Sequence, residues 1–475
     1  MRVKLVLPAL TEARSPFWRP IKYSLFPPLG LATLAGYLDP DDEASICDEH
    51  VEPLDLEDRP DLVAIEVYIT SARRSYGIAD HYRARGVHVC LGGLHVTSLP
   101  GEAAAHADTL FLGPGEDTWP EFLRDFRAGV PRSVYRSSRR TLEEAPVPRR
   151  DLIRRSLYLV PNSIVVSRGC PNRCGFCYQT SFFRGGASFY ARPVDRALAE
   201  IALLPGRHLY FLDDNLFGDP AYAVSLFDGL EGMGRLWQAA GTVRSVLEPG
   251  LLRRAARSGL RSLFVGFESL NERNLRAQGK GQKLGEYAAA VRRLHEHGVM
   301  VNASFVFGMD EDGPDVFART VDWAVGQGIE TATFHVLTPY PDTPLFRRMA
   351  AAGRITTRDW DLYDTRHAVF TPRRMSAARL EAGYRRAYRE FYSWPNIARS
   401  TARQEGALRG ARHLAYKAAW KKCEPLWDLV IRLRRLSAFT PALEKVLSPA
   451  RPPTSGSSRR RTSADRRSPA FPAAW

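Results

Sequence analysis

Short apolar runs, each long enough for one buried strand and separated by stretches of helical length, fill most of the chain. In residues 1–130 they are VKLVLP (3–8), EASIC (43–47), DLVAIEVY (61–68), VHVCLGG (87–93) and TLFLG (109–113). GLATLAGYL (30–38), SARRSYGIADHYRARG (71–86) and TWPEFLRDFRAG (118–129) lie between or after them with helical character. A second series runs SIVVS (163–167), HLYFLD (208–213), LWQAAGTV (236–243), SLFVGFE (262–268), VMVNASFVFG (299–308) and TATFHVL (331–337), again with helices between. Strands that are apolar on both faces and alternate with helices predict parallel sheets covered on both sides. The fold class is therefore α/β, with a first parallel-sheet domain and then a β/α barrel, complete or partial. From about 345 the strand signal stops and amphipathic helices take over.

These shifts predict a first domain over 1–135, a linker over 136–160, a barrel over 161–345, a helical region over 346–447 and a tail over 448–475. The tail, ending RPPTSGSSRRRTSADRRSPAFPAAW, is rich in Pro, Ser and Arg, lacks apolar periodicity and is expected to be disordered. Its six arginines against Asp465 supply a third of the +15 net charge, which weakens a nucleic-acid reading of that charge. No specific nucleic-acid partner is expected. No uncharged run reaches the roughly 18–20 apolar residues of a membrane span, and the start reads as a strand rather than a signal peptide. A cytoplasmic protein is expected, with peripheral membrane contact through the C-terminal helices left open.

The six cysteines are unevenly spread: Cys170, Cys174 and Cys177 fall within RGCPNRCGFCYQ (168–179), against Cys47, Cys90 and Cys423 elsewhere. So few in so long a chain do not make a disulfide framework. Three thiolates in one loop select an iron–sulfur cluster, zinc or copper(I). Structural zinc wants four protein ligands, and the nearest fourth candidate, His208, sits in a strand-like run. A cluster held by only three cysteines keeps one iron free to bind something else. The loop follows the first strand of the second series, where a β/α barrel places its active site.

Cys170-x-x-x-Cys174-x-Phe176-Cys177 resembles the signature of the radical S-adenosylmethionine (SAM) enzymes, including the aromatic before the last cysteine. That resemblance implies a [4Fe–4S] cluster on the three cysteines, whose free iron chelates SAM. Its reductive cleavage gives a 5′-deoxyadenosyl radical, with electrons from an external donor of flavodoxin or ferredoxin type. It extends to further segments. YFLDDNLF (210–217) places Asp213 and Asp214 where the superfamily contacts the SAM amino group, in place of the common Gly-Gly-Glu. VGFES (265–269) places Glu268 near the ribose or methionine. VNASFVFGMD (301–310) places Gly308 at a close approach to adenine. Phe176 is the remaining SAM-site residue.

Joined to this barrel, the first domain is similar to the Rossmann-like cobalamin-binding domain of the radical SAM class that contains methyltransferases and the magnesium-protoporphyrin cyclase. PPLGLATLAGYL (27–38), GGLHVTSLP (92–100), GPGEDTWPEFL (113–123) and TPYPDTPLFRRMAAAGRI (338–355) carry the likeness. Gly92, Gly93, Thr97, Gly113 and Gly115 are the implied cobalamin contacts, on loops that follow strands. One departure stands out. Many such domains hold cobalt with the histidine of an Asp-x-His-x-x-Gly motif after the first strand, where this chain has PALTEARSP. His50 imitates the spacing after the second strand and reads as an ordinary loop residue.

The resemblance implies an enzyme with a [4Fe–4S] cluster, SAM and cobalamin, methylating an unactivated centre of a small molecule such as a lipid or natural-product precursor. No residue beyond the cluster ligands is expected to act as a catalytic acid or base; His335 and Tyr340 are candidates for the substrate cavity. Two readings compete. One is radical rearrangement, cyclisation or deoxygenation without methyl transfer. The other is a non-enzymatic cobalamin- or nucleotide-binding interaction protein whose cluster is structural or a sensor. tRNA methylthiolation is excluded, since it needs a second cluster on three N-terminal cysteines and only Cys47 and Cys90 are there.

Overall fold

The computed structural model describes residues 1–13, 24–422, 429–431 and 433–448. Cys423 and almost all of the basic tail, for which disorder is expected, lie outside them.

The first domain is one parallel sheet of six strands: β1 (Arg2–Leu7), β2 (Glu43–Asp48), β3 (Leu62–Glu66), β4 (His88–Gly92), β5 (Thr109–Leu112) and β6 (Val134–Arg136). Their order is β2-β1-β3-β4-β5-β6. Val6, Val63, Ile65, Val89 and Leu91 pack on one face, and Val3, Leu5, Leu62, Ala64 and Cys90 on the other. Burial on both faces explains why these strands read as unbroken apolar runs. The chain passes from β1 to β2 on one side and then to β3 on the other. The sheet therefore has its topological switch point at β1 and β3, which opens a crevice beyond their carboxyl ends.

β6 was not foreseen and moves the domain edge to Arg136. It is three residues long with only Tyr135 buried, too short for a periodic signal, and it is held by Tyr135 stacking on Phe111. The connector after it is tightly engaged. Arg149 donates its N–H to Ala32 O at 2.9 Å, and Tyr158 reaches Asp48 at 3.0 Å. Arg150 and Arg192 both pair with the buried carboxylate of Glu200. Arginines that look like solvated linker in the sequence thus clamp the two domains together.

The second sheet is also parallel. It holds β7 (Ser163–Ile164), β10 (His208–Phe211), β11 (Leu236–Gly241), β12 (Leu260–Glu268), β13 (Met300–Phe307) and β14 (Thr331–Val336), in the order β14-β13-β12-β11-β10-β7. β14 and β7 do not pair, so the barrel is partial. SIVVS does not form one strand: the chain leaves the sheet after Ile164, and β8 (Ser167–Gly169) pairs antiparallel with β9 (Phe189–Ala191). Leu263, Val265, Phe267, Val301, Ala303, Phe305 and Phe334 form the outward core beneath the helices. The edge at β14 is closed by side chains rather than by a strand: Phe334 N donates to Tyr388 Oη and Ala332 N to Tyr392 Oη, each at 3.1 Å. Both tyrosines come from or abut the helix Ala377–Phe391, which shields the edge from strand pairing. The segment after the barrel returns to the first domain, where Trp360 Nε1 donates to Glu102 at 3.0 Å and Arg73 pairs with Asp359 and Asp361. No helix among the described residues is long and apolar enough to cross a membrane.

The helix Ala407–Lys422 packs across the N-terminal end of the barrel. Lys417 is fully buried there; its ammonium donates to Ser400 Oγ at 3.0 Å and Ile329 O at 3.4 Å and lies 3.8 Å over the Phe391 ring. Burial pushes its pKa from 10.5 down to about 7, against the pull of Glu330. Between these values the unfolded chain holds a proton that the folded chain has released, so stability rises with pH across that window. The Lys417 contribution, read as the difference in denaturant unfolding between the parent protein and Lys417→Met, is expected to grow on the order of 2–3 kcal/mol from pH 7 to pH 9.5. A difference that stays constant would contradict the assignment.

Candidate functional site

β8 delivers the cysteine loop. Gly169 has φ 80, and a Cβ there would lie 2.1 Å from Ser188 O, so only glycine permits the turn. Gly169 N donates to Asp214 Oδ2 at 2.9 Å and Cys170 N to Ser188 O at 2.8 Å. Further along, Gly175 N donates to Gln278 O at 2.8 Å and Gly175 O accepts from Leu345 N at 2.9 Å. The loop is therefore pinned from three elements. Cys170, Cys174 and Cys177 are free and half-buried; Asn172 and Asn215 each direct an amide toward Cys170 Sγ, at 3.4 and 3.5 Å.

Burial pushes the Cys174 thiol up, with Lys280 pulling against it, and pushes Cys177 to about 12. Such thiols are poor nucleophiles at neutral pH and become thiolates when a metal displaces the proton. Among the described residues, no three His, Cys, Asp or Glu side chains group closely enough to hold a single ion. Three soft donors in one loop, one short of the four that structural zinc takes, fit a polynuclear cluster with one open iron. His208 supplies no fourth ligand. It begins β10, at the end of the barrel opposite the loop, is buried beside Gln238, and burial pushes its pKa down to about 4.

The SAM-site residues divide. Phe176 packs against the barrel core. Asp213 turns inward and accepts from Val166 N, Ser167 N and Ser167 Oγ; burial raises its pKa to about 7 against those donors. Its carboxylate fixes the bend between β7 and β8, and of the acidic pair only Asp214 faces open space. Glu268 stands at a register shift in β12 with φ 63, a conformation that strains a side-chain-bearing residue. It does not cap a helix; it pairs with Lys280, whose charge reaches Cys174. At Gly308, φ is 97 and a Cβ would meet Leu380 at 2.6 Å and Phe370 at 3.2 Å. The Cβ side of Gly308 is thus filled by Leu380 of the helix Ala377–Phe391 and by Phe370, so the packing there requires glycine. Lys280 and Gln278 were missed, because the Gly-flanked AQGKGQK segment has no periodicity. His335 bonds Thr365 at 3.2 Å, and the Tyr340 ring meets Tyr178 edge-on, beside the cysteine loop.

A cavity of ≈ 470 Å³ occupies the crevice of the first sheet and opens onto the loop. Gly92, Gly93, Gly113 and Gly115 line it from one side, and Arg168, Tyr178 and Asp214 from the other. Its volume falls in the range of small-molecule sites. Gly30, at the start of the helix Leu29–Ala35, also lines it; a Cβ there would meet only Glu66 Oε2, at 3.9 Å. Thr97 does not line it. Its hydroxyl donates to Gly93 O at 2.8 Å and accepts from Gly113 N at 2.9 Å, tying two of the glycine loops together. Arg168 bridges the domains to Glu116 at 2.7 Å. Burial raises the pKa of Glu66, which accepts a hydrogen bond from Tyr68. No histidine lines the cavity among the described residues. His50 is occupied elsewhere, accepting from Leu10 N at 3.2 Å and bonding Asp48 at 2.7 Å. A chamber with glycines on its first-domain side would admit a corrin between those loops and the cysteine loop.

Comparison with known proteins bears on both halves. Residues 164–324 match the Radical SAM superfamily and residues 23–123 the B12 binding domain. Bacteriochlorophyllide d C-12(1)-methyltransferase of Chlorobaculum tepidum is 32% identical over 346 residues, 70% of this chain and 75% of that protein. The C-8(2)-methyltransferase of the same organism is 24% identical over 78% of this chain and 86% of that protein. Among solved structures, the fold is that of the radical SAM methyltransferase TsrM from Kitasatospora setae, at TM-score 0.60 and 16% identity over 92% of this chain and 99% of that one. It is equally that of the cobalamin-dependent radical SAM enzyme OxsB, at TM-score 0.64 and 15% identity over 94% and 78%. SAM and cobalamin are the cofactors that the two matched domains take. Identity of 32% across three quarters of a curated methyltransferase, together with both domain matches, establishes that this chain belongs to the cobalamin-dependent radical SAM methyltransferase family.

Proposed function

We propose that the chain methylates an unactivated carbon on a tetrapyrrole-class small molecule. The observation that carries this reading is that the residues flanking the cysteine loop, Arg168 and Tyr178, line the cavity together with Asp214 and the glycine loops, so that both cofactors would face one chamber. Cys170, Cys174 and Cys177 would hold a [4Fe–4S] cluster; Gly30, Gly92, Gly93, Gly113 and Gly115 would admit the corrin. When bound, the cluster and SAM supply a hydrogen-abstracting radical, and cobalamin supplies the methyl group. The protein's own part is positioning. Asp214 fixes the start of the loop, the Glu268–Lys280 pair stands beside Cys174, and the segment around Trp360 docks on the first domain through Glu102 and Arg73. Electrons would come from an external flavodoxin- or ferredoxin-type donor.

The tetrapyrrole class rests on the two relatives named for bacteriochlorophyllide d. A hopanoid C-3 methylase, 24% identical over 66% of this chain, makes a polycyclic lipid the second substrate to try. The test is anaerobic incubation of reconstituted protein with SAM, a strong reductant and each substrate. Methyl transfer predicts S-adenosylhomocysteine and 5′-deoxyadenosine together, with product heavier by one methylene. 5′-Deoxyadenosine without S-adenosylhomocysteine would instead support rearrangement or cyclisation and overturn the methyl-transfer reading.

A further inference from the structure

The end of the barrel away from the cysteine loop carries a second cavity, of ≈ 230 Å³, roofed by the helix Ala407–Lys422. Its polar wall is strongly basic: Arg261 from β12, His295 and His297 from the segment before β13, and Arg409, Arg412 and His413 from the roofing helix. One carboxylate, Glu330, faces them. It is engaged already, holding His295 at 3.3 Å and lying 3.8 Å from His413, while Val301 N donates to it at 2.9 Å. Arg409 pairs outward with Glu405 at 3.7 Å. Among the described residues Arg261 and Arg412 have no carboxylate partner; they donate only to backbone carbonyls at Ala256, Leu260 and Gly298.

One donor atom buried here makes no hydrogen bond, Arg261 Nε. A buried donor left without a partner costs stability. Three guanidinium groups gathered at one hollow also repel one another, and burial with the Arg412 charge pushes the Arg261 pKa down. An anion in the hollow answers both deficits at once, by neutralising the charge and accepting from the idle Arg261 Nε. Guanidinium forks match the oxygens of phosphate groups. We propose that this cavity is a binding site for a phosphate-class oxyanion, separate from the methyl-transfer chamber, which fastens the C-terminal helix to the base of the barrel.

Full-length, cofactor-loaded protein should bind pyrophosphate or inorganic phosphate saturably in calorimetry at constant ionic strength. Preference for pyrophosphate would indicate the phosphoryl group of a larger molecule, and equal binding free phosphate. The bound anion should slow amide exchange in 295–300 and 404–413. Arg261→Gln and Arg412→Gln are each expected to weaken binding about tenfold, while Arg319→Gln, on a distant helix and paired with Asp315, leaves it unchanged. If the buried variants do not fold, Arg409→Gln, on the outer side of the roof, reads the same loss. Absence of saturable binding by the parent protein overturns the proposal. So does binding that survives these variants, or exchange protection confined to other segments.

Discussion

Alanine at Cys170, Cys174 or Cys177 is expected to leave a folded protein that carries almost no iron and cleaves SAM at least about 1,000-fold more slowly. Folding should survive because the loop's anchors are backbone bonds at Gly169, Cys170 and Gly175, none of which needs a thiol. The cluster should not survive, because among the described residues the alternatives are out of reach: His208 is at the far end of β10 and Cys90 is buried in the first sheet. Cobalamin binding should persist in each variant, since the glycine loops of its cavity come from the first domain. Iron analysis, SAM cleavage and the visible spectrum read the three effects separately. Loss of cobalamin with the iron would contradict the division of labour between the two domains.

Gly30→Phe is expected to do the converse. Gly30 is in the first turn of a helix, so replacing glycine there removes a conformational cost of up to about 1 kcal/mol. The new Cβ meets only Glu66 Oε2, at 3.9 Å, and the ring is expected to extend into the cavity that Gly30 lines. It should therefore occupy corrin space in a stable protein. Cobalamin affinity and methyl transfer should fall by about 100-fold or more, with the iron content unchanged. Gly30→Ala, which adds one methyl group, should bind nearly normally. Equal cobalamin binding by Gly30→Phe would show that the corrin lies elsewhere.

Much of this site was legible as sequence because its chemistry is local. The three cysteines fall within eight residues, and the glycine loops each follow a strand whose apolar run is plain. The main barrel strands could be read for the same reason, being buried on both faces. What escaped depends on partners far along the chain. β6 and β9 are three residues each and exist through pairing with distant segments. DD in YFLDDNLF does not disclose that Asp213 folds back on Ser167 while Asp214 faces the cavity. A Glu268–Lys280 pair cannot be inferred from a Gly-rich loop. The connector's arginines look solvated until Glu200 is seen buried between Arg150 and Arg192. At Gly308 the sequence shows a place without a side chain, and only the packing shows that Leu380 takes the space.

The most direct test of a shared two-cofactor chamber is elemental and spectral analysis of the protein isolated without oxygen. About four iron and four sulfide per chain, together with one cobalamin, is the expected composition, with the iron lost and the corrin retained in the cysteine variants. Zinc in place of iron and sulfide, or a chain that takes up iron and sulfide but never cobalamin, would contradict it.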